Sequence, residues 1–530
     1  MNIKHFLTLI VACVMTSPFC HADDIQALNA QAEAEYLIPI RPGTADGKVP
    51  FWNEFAWKYI YAPTFDFKTV KGAKSYRFTV TTKDSSSVTF TAETPTAALS
   101  PIWNQIPIGK ESKLTVEALD KKGNVIKVVG EKTFTRDYPF HGPYREKVYS
   151  YDEFIRRALS FVHHMPPVKH WQDHDTPDMT YDMNSYLDKI IGNTIRNEVL
   201  YAEYFPEERD VCLQRCRNIA KFIMSQAEPA DAVLAYFPPT YYGDHIAAGF
   251  AKNKGKIMVM DPTEVIDAFI DLYKFCGDRQ YLDFALHIVD TYKKIRRPDG
   301  SYPVKVETKT GIPVNNESVN NFFLIWNLYR LENELNIYDY KDFRLSLEDW
   351  MFSALVDSFN WNSQFEDIPL EEYKPYQNPS VCIAAPVAFY MMLKDNLTKE
   401  ELKTAEEIMR FCEDQFVMWD SEHINGIPET NTPCAFEQIE WDEPTDACTA
   451  WYLLGCTYMY KHTGDKLWLA KAKACAANIT FMQNKVSGMS PTVGWRTSEH
   501  CIGQASQFWL NDTFGTVWLI RRFCELTGEK

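Results

Sequence analysis

A chain of 530 residues is more than one ordinary hydrophobic core can serve, so two or more domains are expected, one of them large. Its 45% hydrophobic and 24% charged content excludes a disordered or fibrous protein. A formal net charge of −16 with no basic stripe excludes nucleic acid as a partner, and any anionic ligand must be met by a few placed cations rather than by a general field.

The N-terminus carries Lys4, an apolar run from Phe6 to Met15, and Cys20-His21-Ala22 with small residues at both cleavage-determining positions. This pattern predicts a signal peptide over residues 1–22 and a periplasmic or secreted mature protein. A second reading, a bacterial lipoprotein box at Ile10-Val11-Ala12-Cys13, fits less well because Cys13 lies inside the apolar run rather than after it. No later stretch offers about 18 uninterrupted apolar residues, so no transmembrane helix is expected. Of thirteen cysteines two belong to the leader, and the rest form no CxxC pair and no ordered Cys/His series. Neither a structural metal nor a cofactor is expected. The oligomeric state is not readable.

Residues 39–140 alternate in the manner of strands, as in Ser75-Tyr76-Arg77-Phe78-Thr79-Val80-Thr81, Ser87 to Ala92 and Lys113 to Leu119, with a hairpin turn at Asp120-Lys121-Lys122-Gly123-Asn124. They predict a small antiparallel β-sandwich. On pattern it resembles a fibronectin type III or immunoglobulin-like module.

From residue 145 to 530 helical periods take over. Segments near 150–164, 184–204, 207–226, 261–276, 279–296, 316–335, 340–358, 378–394, 398–417, 443–462, 465–484 and 510–527 alternate between amphipathic helices and helices that are apolar nearly all round. Connections leaving the apolar members are short, and those entering them are long, which gathers the long loops on one face above the apolar helices' N-termini. Gly277-Asp278-Arg279-Gln280-Tyr281-Leu282 recurs as Gly464-Asp465-Lys466-Leu467-Trp468-Leu469, three helix pairs later. On this architecture and repeat the chain resembles the six-hairpin glycosidases, mainly α proteins built as an (α/α)6 toroid of six helical hairpins. The resemblance implies carbohydrate-active chemistry: hydrolases of glucuronides or unsaturated uronides, related polysaccharide lyases, and sugar epimerases. It carries no catalytic motif onto particular residues.

Candidate chemistry therefore comes from the long loops themselves. Glycoside hydrolysis needs two carboxyl groups, and rigid helix mouths can hold them facing each other. Glu443 and Glu317 are the preferred pair, with Asp442 and Asp261 as substitutes. Helix capping is the alternative role for each acid. Arg496 is the first candidate to grip a uronic-acid carboxylate bidentately, and Arg297 the second. Trp495, Trp441, Trp171 and Tyr241 are candidate sugar platforms. A rival reading as a lyase or uronyl epimerase takes its base from the loop that carries Tyr242 and His245, with Arg496 or Asn316 neutralising the carboxylate. A third reading is a glycan-binding protein without turnover.

Overall fold

The computed structural model describes residues 22–42, 52–243, 253–361, 381–420, 432–437, 444–492 and 508–530. In chain order its helices begin with α1 (Ala22–Glu35), α2 (Tyr151–His164), α3 (Pro166–His170), α4 (Gly192–Tyr204) and α5 (Arg209–Gln226). Next come α6 (Pro262–Cys276), α7 (Arg279–Ile295), α8 (Phe322–Leu335), α9 (Lys341–Met351) and α10 (Val381–Met391). The chain ends with α11 (Lys399–Phe416), α12 (Asp446–Thr463), α13 (Lys466–Met482) and α14 (Leu510–Thr527).

The apolar helices close on themselves. α4 packs on α6, α6 on α8, α8 on α10, α10 on α12, α12 on α14, and α14 returns to α4. Around this inner ring α5 covers α4, α7 covers α6, α9 covers α8, α11 lies on α10 and α12, α13 covers α12, and α2 sits on both α14 and α4. This is an (α/α)6 toroid. Among the described residues no helix is long and apolar enough to cross a membrane.

The repeated Gly-Asp turns explain the sharp reversals between inner and outer helices. Gly277 and Gly464 end α6 and α12 at φ 74° and 69°, a left-handed backbone that only a residue without Cβ adopts cheaply. Asp278 and Asp465 then cap the following helices by accepting from Gln280 N and Leu467 N.

The ring's axis is filled with side chains. Phe322 of α8 meets Trp451 of α12 at 6.1 Å, and Trp326 of α8 meets Trp518 of α14 at 5.9 Å. These pairs join helices that are not ring neighbours, so the side chains must point inward. The other half of the axis is ionic. Arg196 of α4 lies 3.5 Å from Asp267 and 3.0 Å from Asp271 on α6, and Arg330 of α8 reaches the same two acids at 2.9 and 2.5 Å. Burial would raise the Asp271 carboxyl, but Arg330 and Arg196 together hold it below its ordinary value.

The N-terminal strands are β1 (Lys58–Tyr59), β2 (Ser75–Thr82), β3 (Ser87–Ala92), β4 (Glu111–Leu119) and β5 (Val125–Arg136). They form a single sheet ordered β1-β5-β4-β2-β3, antiparallel except where β1 pairs β5. The expected strands and alternation are present, with Tyr76, Phe78, Val80, Leu114, Val116 and Ala118 buried on one face. Among the described residues, however, that face is covered by Phe65, Leu99, Ile102 and Trp103 from connecting segments rather than by a second sheet. Alternation reports which face is buried, not what buries it. Helix α1 docks on α13, with Gln31 Nε2 donating to Asp465 Oδ2 at 2.7 Å.

Candidate active site

All six inner helices start at the same end of the ring, and the described parts of the long connections are stitched together above them. Tyr186 bridges Tyr241, Leu187 N donates to Thr240 O at 3.0 Å, and Met258 N donates to Thr240 Oγ1 at 3.0 Å. β6 (Lys256–Met258) pairs with β7 (Lys305–Glu307), and Pro303 bridges Ser318. The connections into α4, α6 and α8 thus form one woven rim. The entrance to α12 is built from β8 (Val417–Met418), β9 (Cys434–Phe436) and β10 (Pro444–Thr445), tied to the entrance of α14 by Asp446 N donating to Thr492 O and Trp509 N to Thr492 Oγ1.

The most unusual group on this rim is Asp188. It lies in a π-helical turn, Leu187–Ile191, that leads into α4, a geometry that often marks functional positions. It is fully buried, and neither carboxyl oxygen has a hydrogen-bond partner among the described residues. Burial, then the charges of Asp261 and Glu264, push its pKa well above the ordinary carboxyl value, with Lys189 opposing them, so the protonated form is favoured. Folding gains nothing from such a group, because a buried unpaired carboxyl costs stability.

Its neighbours are placed with more support. Asp261, 2% exposed at the mouth of α6, lies 3.8 Å from Lys189 Nζ. Glu264 accepts from Asn193 Nδ2 at 3.1 Å and faces Arg196 at 3.8 Å, yet its carboxyl is also raised, chiefly by burial. Two carboxyls on adjacent helix mouths thus differ in surroundings, Asp188 unpaired and Asp261 beside an ammonium. A further buried carboxyl, Asp446, opens α12, where Thr445 caps the helix by accepting from Cys448 N at 3.2 Å. Ser490 Oγ donates to Asp446 Oδ2 at 2.6 Å, but burial dominates and pushes Asp446 up to about 7.

A pH-dependent stability follows. Because the folded carboxyl of Asp446 holds its proton to about pH 7, its contribution is full below about pH 4 and is lost as pH rises toward 7. Asp446→Asn is expected to remove that loss, melting above the parent at pH 8 and level with it at pH 4. Thermal melts at the two pH values check this.

The residues expected from sequence fall into three groups. Asp261, Tyr241 and Tyr242 stand on the rim, the two tyrosines half-buried: Tyr241 packs on Tyr186 at 4.9 Å, and Tyr242 N donates to Ser185 O at 2.7 Å. Glu317, Arg297 and Trp171 do other work. α8 starts at Phe322, so Glu317 lies in the connection before it, its backbone carbonyl accepting from Arg297 Nη1 at 3.2 Å. Arg297 spends its donors lacing residues 315–318. Trp171 is 1% exposed against Phe222, a core ring rather than an open platform. Glu443, Asp442, Trp441, His245, Arg496 and Trp495 lie outside the described residues.

Sequence reasoning did not single out Asp188, and it did not place Asp446 in the preferred carboxyl pair. The signal for Asp188 is present in Leu187-Asp188-Lys189-Ile190-Ile191, an acid set inside an apolar run where helix packing needs none. Behind the rim, His163, Glu198 and Cys212 cluster with ligand atoms within 4.8 Å of one another. Arg215 Nη1 already sits 3.1 Å from Glu198 Oε2 and 3.2 Å from His163 Nδ1, so a guanidinium occupies the place a cation would need.

No protein-family model matches the chain, and no curated protein matches its sequence. Among solved structures it is similar to a family 76 glycoside hydrolase from a bovine Bacteroides thetaiotaomicron strain, at 11% identity over 84% of this chain and 92% of that one, TM-score 0.43. It is also similar to cellobiose 2-epimerase from Spirochaeta thermophila, at 12% identity over 71% and 98%, TM-score 0.48. A third likeness is to an unsaturated glucuronyl hydrolase specific for heparin, at 9% identity over 71% and 98%, TM-score 0.41. The assignment of the fold rests on the closed helix ring itself.

Proposed function

We infer that the protein is a carbohydrate-active enzyme, a glycoside hydrolase that works with a carboxyl pair at the mouths of α4 and α6. The observation that carries this reading is Asp188, buried and without a hydrogen-bond partner among the described residues, next to the ionic neighbourhood of Asp261. Asp188 donates its proton to the glycosidic oxygen as the bond to the leaving group breaks. Asp261, kept near Lys189, activates water or attacks the anomeric carbon. The half-buried rings of Trp326, Trp451 and Trp518 on the axis supply apolar faces for a sugar ring. Burial of both carboxyls supports a closed pocket and a chain-end substrate. Lys189 and the buried Lys305 are cations on the rim and support an acidic sugar, a uronic acid. The leader over residues 1–22 supports action in the periplasm or outside the cell.

One observation favours a second reading. Lys305 Nζ donates to Asn253 Oδ1 at 3.0 Å, and Asn253 Nδ2 lies 3.4 Å from the Tyr241 hydroxyl. Tyrosine, amide and ammonium in a row suit β-elimination from a uronic acid, with the tyrosine as base and the other two at the carboxylate.

Carboxyl variants separate the readings. Under the hydrolase reading, Asp261→Asn lowers turnover by roughly 10²–10⁴-fold, whereas Glu317→Gln keeps more than about half of the parent rate, within the range of a surface change. Loss in Tyr241→Phe with Asp261→Asn still active would move the assignment to the lyase.

A further inference from the structure

The N-terminal sheet meets the toroid through a buried polar seam, and that seam ends on the strands that deliver Asp446. Lys58 of β1 is 3% exposed, and its ammonium donates to three oxygens: Asp137 Oδ2 at 2.8 Å, Asp414 O at 3.4 Å and Val417 O at 3.2 Å. The Phe436 ring of β9 lies 5.6 Å from the same nitrogen. In return Asp414 Oδ1 accepts from Ile60 N at 2.6 Å and Tyr61 N at 2.8 Å, and Gln415 Nε2 donates to Lys58 O at 3.2 Å. The seam is thus pinned from both sides.

From Val417 the path to Asp446 is short and rigid. Val417 pairs with Ala435 across β8 and β9, and Ala435 pairs with Thr445 across β9 and β10. Ala435 N also donates to Thr449 Oγ1 of α12 at 2.9 Å. Thr445 caps α12, and Asp446 is that helix's first residue. A charge on the N-terminal sheet is therefore three paired residues from a carboxyl at the site.

We propose that the N-terminal sheet is a brace for the mouth of α12, and that Lys58 is a positioning residue which fixes β8, β9 and through them Asp446. For its catalytic consequence this rests on the active-site reading above, extended to Asp446 as a substrate-facing carboxyl on the same rim; its structural consequence does not depend on that reading. The ammonium pairs with Asp137, ties down two backbone carbonyls at the end of α11 and in β8, and so holds the first of the three strands in register. On this account the sheet acts on the reaction without touching the substrate.

The test uses the full chain in three forms: the parent, Lys58→Arg, and the double variant Lys58→Met with Asp137→Asn. The double variant removes both charges and leaves no buried unpaired ion, so the ring is expected to stay folded by circular dichroism. Amide hydrogen exchange is then compared at 417–419, 434–436 and 444–448 against α4 and α6. The brace predicts exchange faster by about tenfold or more in the first three segments, with α4 and α6 unchanged. Lys58→Arg is expected to restore most of the protection. On a glycan the parent cleaves, kcat of the double variant should fall by roughly tenfold to a hundredfold while KM moves less. Unchanged local exchange in the folded double variant overturns the proposal, and so does a rise spread evenly over the ring, which would make the pair a general stabiliser. Altered local exchange in a protein that cleaves no glycan would uphold the brace and count against the active-site reading alone.

Discussion

Asp188→Asn is expected to lower turnover by roughly 10²–10⁴-fold, the usual loss when a positioned proton donor is removed, while leaving the melting temperature level or raised. The two halves of this expectation come from the same fact. Asp188 is fully buried, and burial together with the charges of Asp261 and Glu264 favours its protonated form. An amide has nearly the same shape and no ionisable proton, so packing is kept and the cost of burying an acid is relieved. A structural residue would behave in the opposite way, losing stability first and activity only as a consequence. Steady-state rates together with thermal melts distinguish the two, and a gain in stability with loss of rate is the mark of a group held against the interests of the fold.

Lys471→Met is expected to cost about 3–5 kcal/mol, the penalty for stranding one partner of a buried ion pair. Lys471 and Glu413 are both fully buried and 2.7 Å apart. Glu413 also accepts from the Tyr36 and Tyr61 hydroxyls, each at 2.9 Å, and from Trp419 Nε1 at 3.0 Å, so this one carboxylate gathers α1's end, the N-terminal sheet and α11. Without the ammonium it becomes an uncompensated charge in the core. The double variant Lys471→Met with Glu413→Gln should recover part of the loss, because the remaining amide still accepts from its neighbours. Burial lowers the Lys471 pKa, but Glu413 and Glu35 outweigh it and the net shift is upward. The pair's contribution is therefore present below the ordinary lysine value and is lost only as the solution becomes strongly alkaline. Chemical denaturation of the single and double variants at pH 7 measures both terms.

The helical frame was legible because each hairpin is specified locally. Gly277-Asp278 and Gly464-Asp465 state where one helix stops and the next begins, and the alternation of short and long connections states which ends share a face. The entrances were harder. Residues 316–321 read as the start of α8, yet Pro303 bridges Ser318 and Asn320 Oδ1 accepts from Phe322 N, so the helix begins at Phe322 and Glu317 stays in the connection. α1 is less legible: its run of Ala, Gln and Glu consists of strong helix formers, but its period is weak. Its partner, Asp465, is more than four hundred residues away, at |i−j| = 434. Asp188 was read as part of a helix, and only its lack of a hydrogen-bond partner among the described residues, a three-dimensional fact, sets it apart from a capping acid.

The rim is proposed to hydrolyse a glycosidic bond in a uronic-acid glycan. The most direct measurement incubates the purified mature protein with a panel of uronic-acid-containing glycans and follows reducing ends and ultraviolet absorbance together. New reducing ends without new absorbance are the predicted result, and loss of absorbance from pre-cleaved unsaturated oligosaccharides would be the same chemistry on a narrower substrate. New absorbance from a C4–C5 double bond would contradict it and transfer the reaction to Tyr241 and Lys305.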